Sequence, residues 1–185
     1  REAVDRLNGI ADLFLLHDRD IERRVDDSVV RSSELGPIMV RRARGWVPEP
    51  VRLPVQAEPV IMAVGGHLQV TGCVTQGDQA FVSQHVGDLE SEPARAYLRE
   101  VLEGLLDFLQ VAPDAVAADA HPDYPSSWMA AEMAREYDAE LLDIQHHLAH
   151  VAAVLGEHRS FPDAGHRALG LALDGTGWGP DGTAW

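Results

Sequence analysis

Two histidines and one aspartate carry most of the chemistry this sequence offers. His146 and His150 stand four residues apart in the run LLDIQHHLAHVAAVLGEH, residues 141–158. Around them Leu148, Val151, Ala152 and Leu155 follow the i, i+3, i+4, i+7 spacing of one apolar helical stripe. At about 100° per residue, His146 and His150 share the face opposite that stripe, and His147 points elsewhere. Imidazoles at i and i+4 can reach one metal ion. A solvated surface pair is the commoner occupant of such spacing, and the residues alone leave both readings open. No glutamate lies between the two histidines, so no zincin-type base is offered. Downstream, Asp174 closes the apolar run 169–173 and opens the turn in LALDGTGWGPDG, residues 171–182. Gly175, Gly177, Gly179 and Gly182 let backbone N–H groups come close to an anion. An acid at a strand end beside such a turn can hold a metal or a phosphate-bound cation; an ordinary hairpin turn has the same composition. The two motifs strengthen each other because they fall within one βαβ-like unit.

Several elements must position these residues. Residues 1–8 read as a short helix stopped by Gly9, and residues 11–16 as a strand. Residues 17–27 are dense in charge and read as a solvated loop. Residues 28–31 and 38–42 can pair as strands. Arg41, Arg42 and Arg44 cluster just before Gly45, and three guanidinium groups can bind phosphate or carboxylate bidentately. Plain surface charge is the competing reading. Pro48, Pro50 and Pro54 predict a semi-rigid linker, with a domain boundary near Leu53. Residues 60–64, 68–75 and 79–83 then read as short antiparallel strands, punctuated by Gly65, Gly66 and a Gly77-Asp78 turn. Ser91 caps a helix whose stripe is Leu98, Val101, Leu102, Leu105 and Leu109. Strands at 115–118 and 141–144 flank a helix at 125–137. Three antiparallel strands followed by αβαβ is the order of an α/β, RNase-H/actin-like (ASKHA) half-domain with a mixed sheet. Ligands of such open sheets bind at the carboxyl ends of the strands. Asp119, His121, His146 and Asp174 all fall there.

The chain has 185 residues and is 45% hydrophobic, enough for one packed domain or parts of two. A net charge of −15 disfavours nucleic acid and anionic membranes as partners. Cys73 is the single cysteine, so no disulfide framework exists, and a reducing cytoplasm fits. No apolar run approaches the roughly 18 residues of a membrane span, and no signal peptide opens the sequence. Arg1 at the start, and Trp185 inside an apparent hairpin, lead us to expect a piece of a longer chain.

QHHLAH and LALDGTGWGPDGTAW resemble motifs of the HypF family, the carbamoyltransferases of nickel–iron hydrogenase maturation. HDRDIERRVDDSVVR, RRARGWVPEP, VSQHVGDLE and AADAHPDYPSS match upstream, in the family's order, over nearly the whole chain. The resemblance implies that residues 1–52 are the C-terminal portion of a YrdC-like nucleotide-binding domain, which in the family activates carbamate as carbamoyl-adenylate. It implies that residues 53–185 are the N-terminal half of the kinase-like carbamoyltransferase domain. His146 and His150 would be metal ligands, with Asp174 at the metal–phosphate site and a further ligand from the second half. Gly175, Thr176 and Gly177 would cradle nucleotide phosphate, and Arg41, Arg42 and Arg44 would contact nucleotide. Histidine plus carboxylate suits iron, zinc or manganese, with magnesium accompanying ATP. The donor would be carbamoyl phosphate, and the acceptor a cysteine of a HypE-type partner protein. Cys73 lies within an expected strand and offers no nucleophile, which agrees with a thiol on the partner.

The sequence also departs from the family. In GGHLQVT, residues 65–71, His67 replaces an acid, Gln69 a lysine and Val70 an asparagine. Trp128 stands where the family carries an arginine. Carbamoylation of a small-molecule hydroxyl, and a non-catalytic metal- or nucleotide-binding module, are therefore kept beside the main reading. In the full-length protein, His146→Ala and His150→Ala should each abolish most metal binding, and His147→Ala far less. Metal content of the three variants is the check; equal loss from all three, or from none, sinks the pair as ligands.

Overall fold

The computed structural model describes residues 2–34, 36–162 and 166–185. Its centre is a five-stranded mixed sheet in the order β3-β5-β4-β6-β7. The strands are β3 (Val51–Ala57), β4 (Ile61–Gly65), β5 (Cys73–Val82), β6 (Ala115–Asp119) and β7 (Glu140–Ile144). β5 runs antiparallel to both β3 and β4, while β4, β6 and β7 are parallel. Parallel neighbours need a crossover, and helices supply it: α2 (Glu92–Leu109) before β6 and α3 (Pro125–Glu136) before β7. Both cover the same sheet face. Leu98, Leu102, Leu105 and Leu106 of α2 pack with Met129, Ala130 and Met133 of α3 over Met62, Val64, Val74 and Val116. Ser91 caps α2 as expected, its side chain accepting from Ala94 N at 3.3 Å.

The meander differs from the expectation. Residues 68–72 form no strand: Gln69 adopts φ 51°, and Val70 makes an isolated bridge with Gly87. β5 instead runs unbroken through Gly77 and Asp78. Gly77 takes φ 62° where the β3–β5 register shifts, so this glycine bends a strand rather than closing a turn. The third antiparallel strand comes from the proline-rich stretch. β3 starts at Val51 and carries Pro54 on the sheet edge, where a missing N–H is tolerated.

Upstream lie α1 (Glu2–Leu7) and a hairpin of β1 (Val29–Ser33) with β2 (Gly36–Arg41), a sheet of its own. Residues 11–16, expected as a strand, form none and are exposed; Leu13 and Leu15 face solvent. Backbone and side-chain contacts fasten this segment to the central sheet. His85 N donates to Arg42 O at 2.8 Å, Gln84 Nε2 and Tyr97 OH donate to Arg24 O, and the Arg24 guanidinium lies 4.5 Å from the Tyr97 ring centroid.

α4 (His146–Glu157) lies over the other sheet face, with Val151, Ala152 and Leu155 of its expected stripe half-buried. Ala149, His150 and Ala153 look toward Ala63 and Ala117, which pair side by side in the sheet, around a cavity of about 300 Å3. The Leu148 end of the apolar stripe is 61% exposed. Val151 and Leu155 face residues 168–174 instead. Among the described residues, no helix is long and apolar enough to cross a membrane. Leu102 is fully buried, so Leu102→Ala should cost about 2–5 kcal/mol, and Ser91→Ala about 0.5–2 kcal/mol through the lost cap. Chemical denaturation checks both, and a smaller loss at Leu102 than at Ser91 would contradict this packing.

Candidate functional site

The carboxyl ends of β4, β6 and β7 meet the first turn of α4. Gln145 caps that helix, its Oε1 accepting from Leu148 N at 2.8 Å. His146, the first helical residue, therefore sits directly above the sheet edge. Its Nδ1 lies 2.6 Å from Oδ2 of Asp119, the last residue of β6. Its Nε2 points the other way, 3.2 Å from His150 Nε2 and 2.8 Å from Asp174 Oδ2. His150 Nε2 is 3.3 Å from the same Asp174 oxygen. His146, His150 and Asp174 thus offer three ligand atoms within 4.8 Å of one another. Around a four-coordinate ion with bonds of about 2.0–2.1 Å, ligand atoms stand about 3.3–3.4 Å apart. The two edges to His150 match that spacing, and the donor set of two imidazoles and a carboxylate fits a divalent transition metal.

Asp174 reaches this point without the expected strand. Residues 169–173 are extended but unpaired among the described residues, and Leu169, Leu171 and Leu173 are almost fully exposed. Close contacts at two glycines dock the segment. A Cβ on Gly170 would fall 2.4 Å from Val151 Cγ2, and one on Gly177 would fall 3.0 Å from the His147 ring. Side chains at these positions would lift the segment off α4. His147 does turn away from the cluster, yet it is not solvated: its Nε2 is buried without a partner.

Other assignments change. Gly175 N donates to Asp174 Oδ1 at 2.7 Å and Gly177 N to Trp185 O at 3.0 Å. Those two donors are engaged inside the turn, and Thr176 is exposed. Two of the three arginines before Gly45 are engaged within the chain. Arg42 donates to the carbonyls of Val82, Trp46 and Glu49, and Arg44 pairs with Asp27. Arg41 is exposed at the end of β2. The VSQHVGDLE motif, whose residues had no assigned role, supports the loop after β4. Asp88 Oδ1 accepts from Gln69 N at 2.8 Å, and Gly87 O accepts from Val70 N at 3.0 Å.

Sequence reasoning placed Asp119 at the right sheet edge but not among the site residues. Its signal is an acid at a parallel-strand end, two residues before a histidine. Its Oδ1 accepts from His121 N at 2.9 Å, and the His121 ring stacks on Tyr124 at 4.0 Å. Burial lowers the pKa of His146, but hydrogen bonds and charge from Asp119 and Asp174 outweigh it, and the net shift is upward. Asp174 is held low, first by the Gly175 N–H and then by the His146 and His150 rings.

Comparison with known proteins covers the whole chain. A family model described as "HypF Kae1-like domain" matches residues 56–157. Carbamoyltransferase HypF2 of Cupriavidus necator is 49% identical over all of this chain and 23% of its own length. Carbamoyltransferase HypF of Rhizobium leguminosarum bv. viciae is 46% identical, again over all of this chain and 23% of its own length. A crystal structure of full-length HypF in the phosphate- and nucleotide-bound form superposes with a TM-score of 0.85 at 40% identity, covering 100% of this chain and 28% of that one. The crystal structure of T. kodakarensis HypF gives 0.84 at 37% identity, covering 100% and 24%. The chain therefore spans about a quarter of the curated relatives it matches.

The raised pKa of His146 fixes the sign of a pH effect in the metal-free protein. Its stabilising contribution is fully present below the ordinary histidine value of 6.5 and is lost as pH rises through the folded value. The unfolding free energy lost on His146→Gln should therefore be greater on the acid side than on the alkaline side. Denaturation curves at both pH values test it, and a reversed order refutes the pairing with Asp119 and Asp174.

Proposed function

The chain belongs to the HypF carbamoyltransferase family, and from that membership we propose that it forms part of an enzyme using ATP and carbamoyl phosphate to carbamoylate a cysteine of a partner protein. The product serves cyanide ligand synthesis in nickel–iron hydrogenase maturation, and the acceptor is a HypE-type protein. The observation that carries this reading is the convergence of His146, His150 and Asp174 at the carboxyl edge of parallel strands, within a chain that resembles carbamoyltransferases along its full length. In this reading residues 1–52 close a YrdC-like domain that makes carbamoyl-adenylate, and residues 53–185 are the first half of the domain that delivers the carbamoyl group. The acceptor thiolate attacks the carbamoyl carbon, and AMP leaves.

His146, His150 and Asp174 would hold an iron, zinc or manganese ion. Such an ion polarises phosphate or carbonyl oxygens when bound. The chain's own residues orient the site. Asp174 is carried to the histidines by the glycine contacts at Gly170 and Gly177, and the small residues Gly65, Gly66, Ala63 and Ala117 leave an open cavity beside them. ATP, with magnesium, is the nucleotide. The net charge of −15 supports a protein or small-molecule partner rather than nucleic acid or a membrane surface.

Intact-mass analysis of each candidate acceptor decides among the readings. The full-length protein, incubated with ATP and carbamoyl phosphate, should add one carbamoyl group to a cysteine of the partner. A carbamoylated small-molecule hydroxyl would establish the tailoring alternative, and no transfer to any acceptor would leave a binding module. Residues 1–185 alone should release no AMP; turnover by that piece would show that the missing sequence is dispensable.

A further inference from the structure

We propose that Asp119 is the positioning residue that sets the tautomer of His146, placing the ring proton on Nδ1 and leaving Nε2 free to bind a metal. This rests on the metal reading of His146, His150 and Asp174, and gives the reason why one ring nitrogen is available.

The Asp119 side chain is 4% exposed, and both of its oxygens are committed. Oδ1 accepts from the backbone N–H of His121 at 2.9 Å, and Oδ2 lies 2.6 Å from His146 Nδ1. A carboxylate only accepts, so Asp119 and Asp174 both draw the ring proton; the Asp119 contact is shorter and its carboxylate is buried while Asp174 is open to solvent, so a single proton stays on Nδ1. Neutral imidazole then carries its lone pair on Nε2, the nitrogen that faces His150 and Asp174. The two partners cannot drift apart easily. Asp119 ends β6 in register with Ile144 of β7, Ala120 N donates to Ile144 O at 2.9 Å, and His146 follows two residues later as the first residue of α4. The His150 ring contacts only His146 and Asp174 among the described polar groups, so no comparable carboxylate orients it. His146 is the organised ligand of the pair. Carboxylates that orient a metal-bound histidine are typically worth about 10–100-fold in metal affinity.

Asp119→Asn and Asp119→Ala separate this role from packing. In Asp119→Asn the amide oxygen must accept from His121 N–H, so its NH2 faces Nδ1. Nδ1 then has to accept, and the ring proton moves to Nε2, where it blocks coordination. The near-isosteric amide should therefore lose about 10–100-fold in zinc or manganese affinity in the full-length protein, at least as much as Asp119→Ala. A purely structural role gives the opposite order, with Asp119→Asn close to wild type, and that result overturns the proposal. A second readout needs no metal. Histidine-selective 15N spectra of the metal-free protein at alkaline pH should show the His146 proton on Nδ1 in wild type and on Nε2 in Asp119→Asn. The tautomer expected in a wild type that binds no metal would sink the metal reading and leave the role of Asp119 standing. Metal binding by a wild type whose proton sits on Nε2 would do the reverse. If Asp119→Asn does not fold, the wild-type tautomer decides alone.

Discussion

One imidazole holds together three parts of the chain that are distant in sequence. His146 faces Asp119 at the end of β6 through one nitrogen, and Asp174 on the returning segment through the other. The first contact is buried and the second is at the surface, so they have different weights. The Asp119 contact lies at the edge of a parallel sheet whose strands are already in register, and little conformational freedom remains to be lost there. The Asp174 contact has to organise an extended segment that no strand supports. A metal ion shared by His146, His150 and Asp174 would supply that organisation, because binding energy spent on preformed ligands becomes stability for the segment carrying the third.

A strand exists only where a neighbour accepts its hydrogen bonds. The apolar runs at 11–16 and 169–173 have strand composition, yet neither forms a strand among the described residues. The Pro50–Pro54 stretch has poor strand composition, yet β3 pairs along the edge of β5. Availability of an edge outweighed local preference in all three cases.

The arginines just before Gly45 show how a charge cluster can serve structure. Arg42 spans the carbonyls of Val82, Trp46 and Glu49, joining the hairpin segment to the end of β5. Burial works against its charge and lowers its pKa, and the nearby Glu49 carboxylate offsets this only in part. Arg24 repeats the pattern at α2 with Tyr97 and Glu100. These contacts fix how the upstream segment sits on the sheet, a different task from anion capture.

Much of this architecture is legible in residue order. The stripe of α2, the span of α3, the Ser91 cap, the short apolar runs that became β4, β6 and β7, and the HxxxH spacing are all local patterns, and local backbone geometry converts them directly into elements and faces. The family resemblance, too, lies in linear motifs. Three features could not be read that way. Asp119 is a strand-terminal acid with no assigned task until Nδ1 of His146 is found beside it, 27 residues away. Arg42 looks available for phosphate until Val82 O, 40 residues away, takes its guanidinium. Asp174 needs Gly170 against Val151, and Gly177 against His147, before it meets the histidines. Each depends on which distant groups become neighbours. Hydrogen bonds and close packing act over a few ångströms, so only the folded chain settles those pairings.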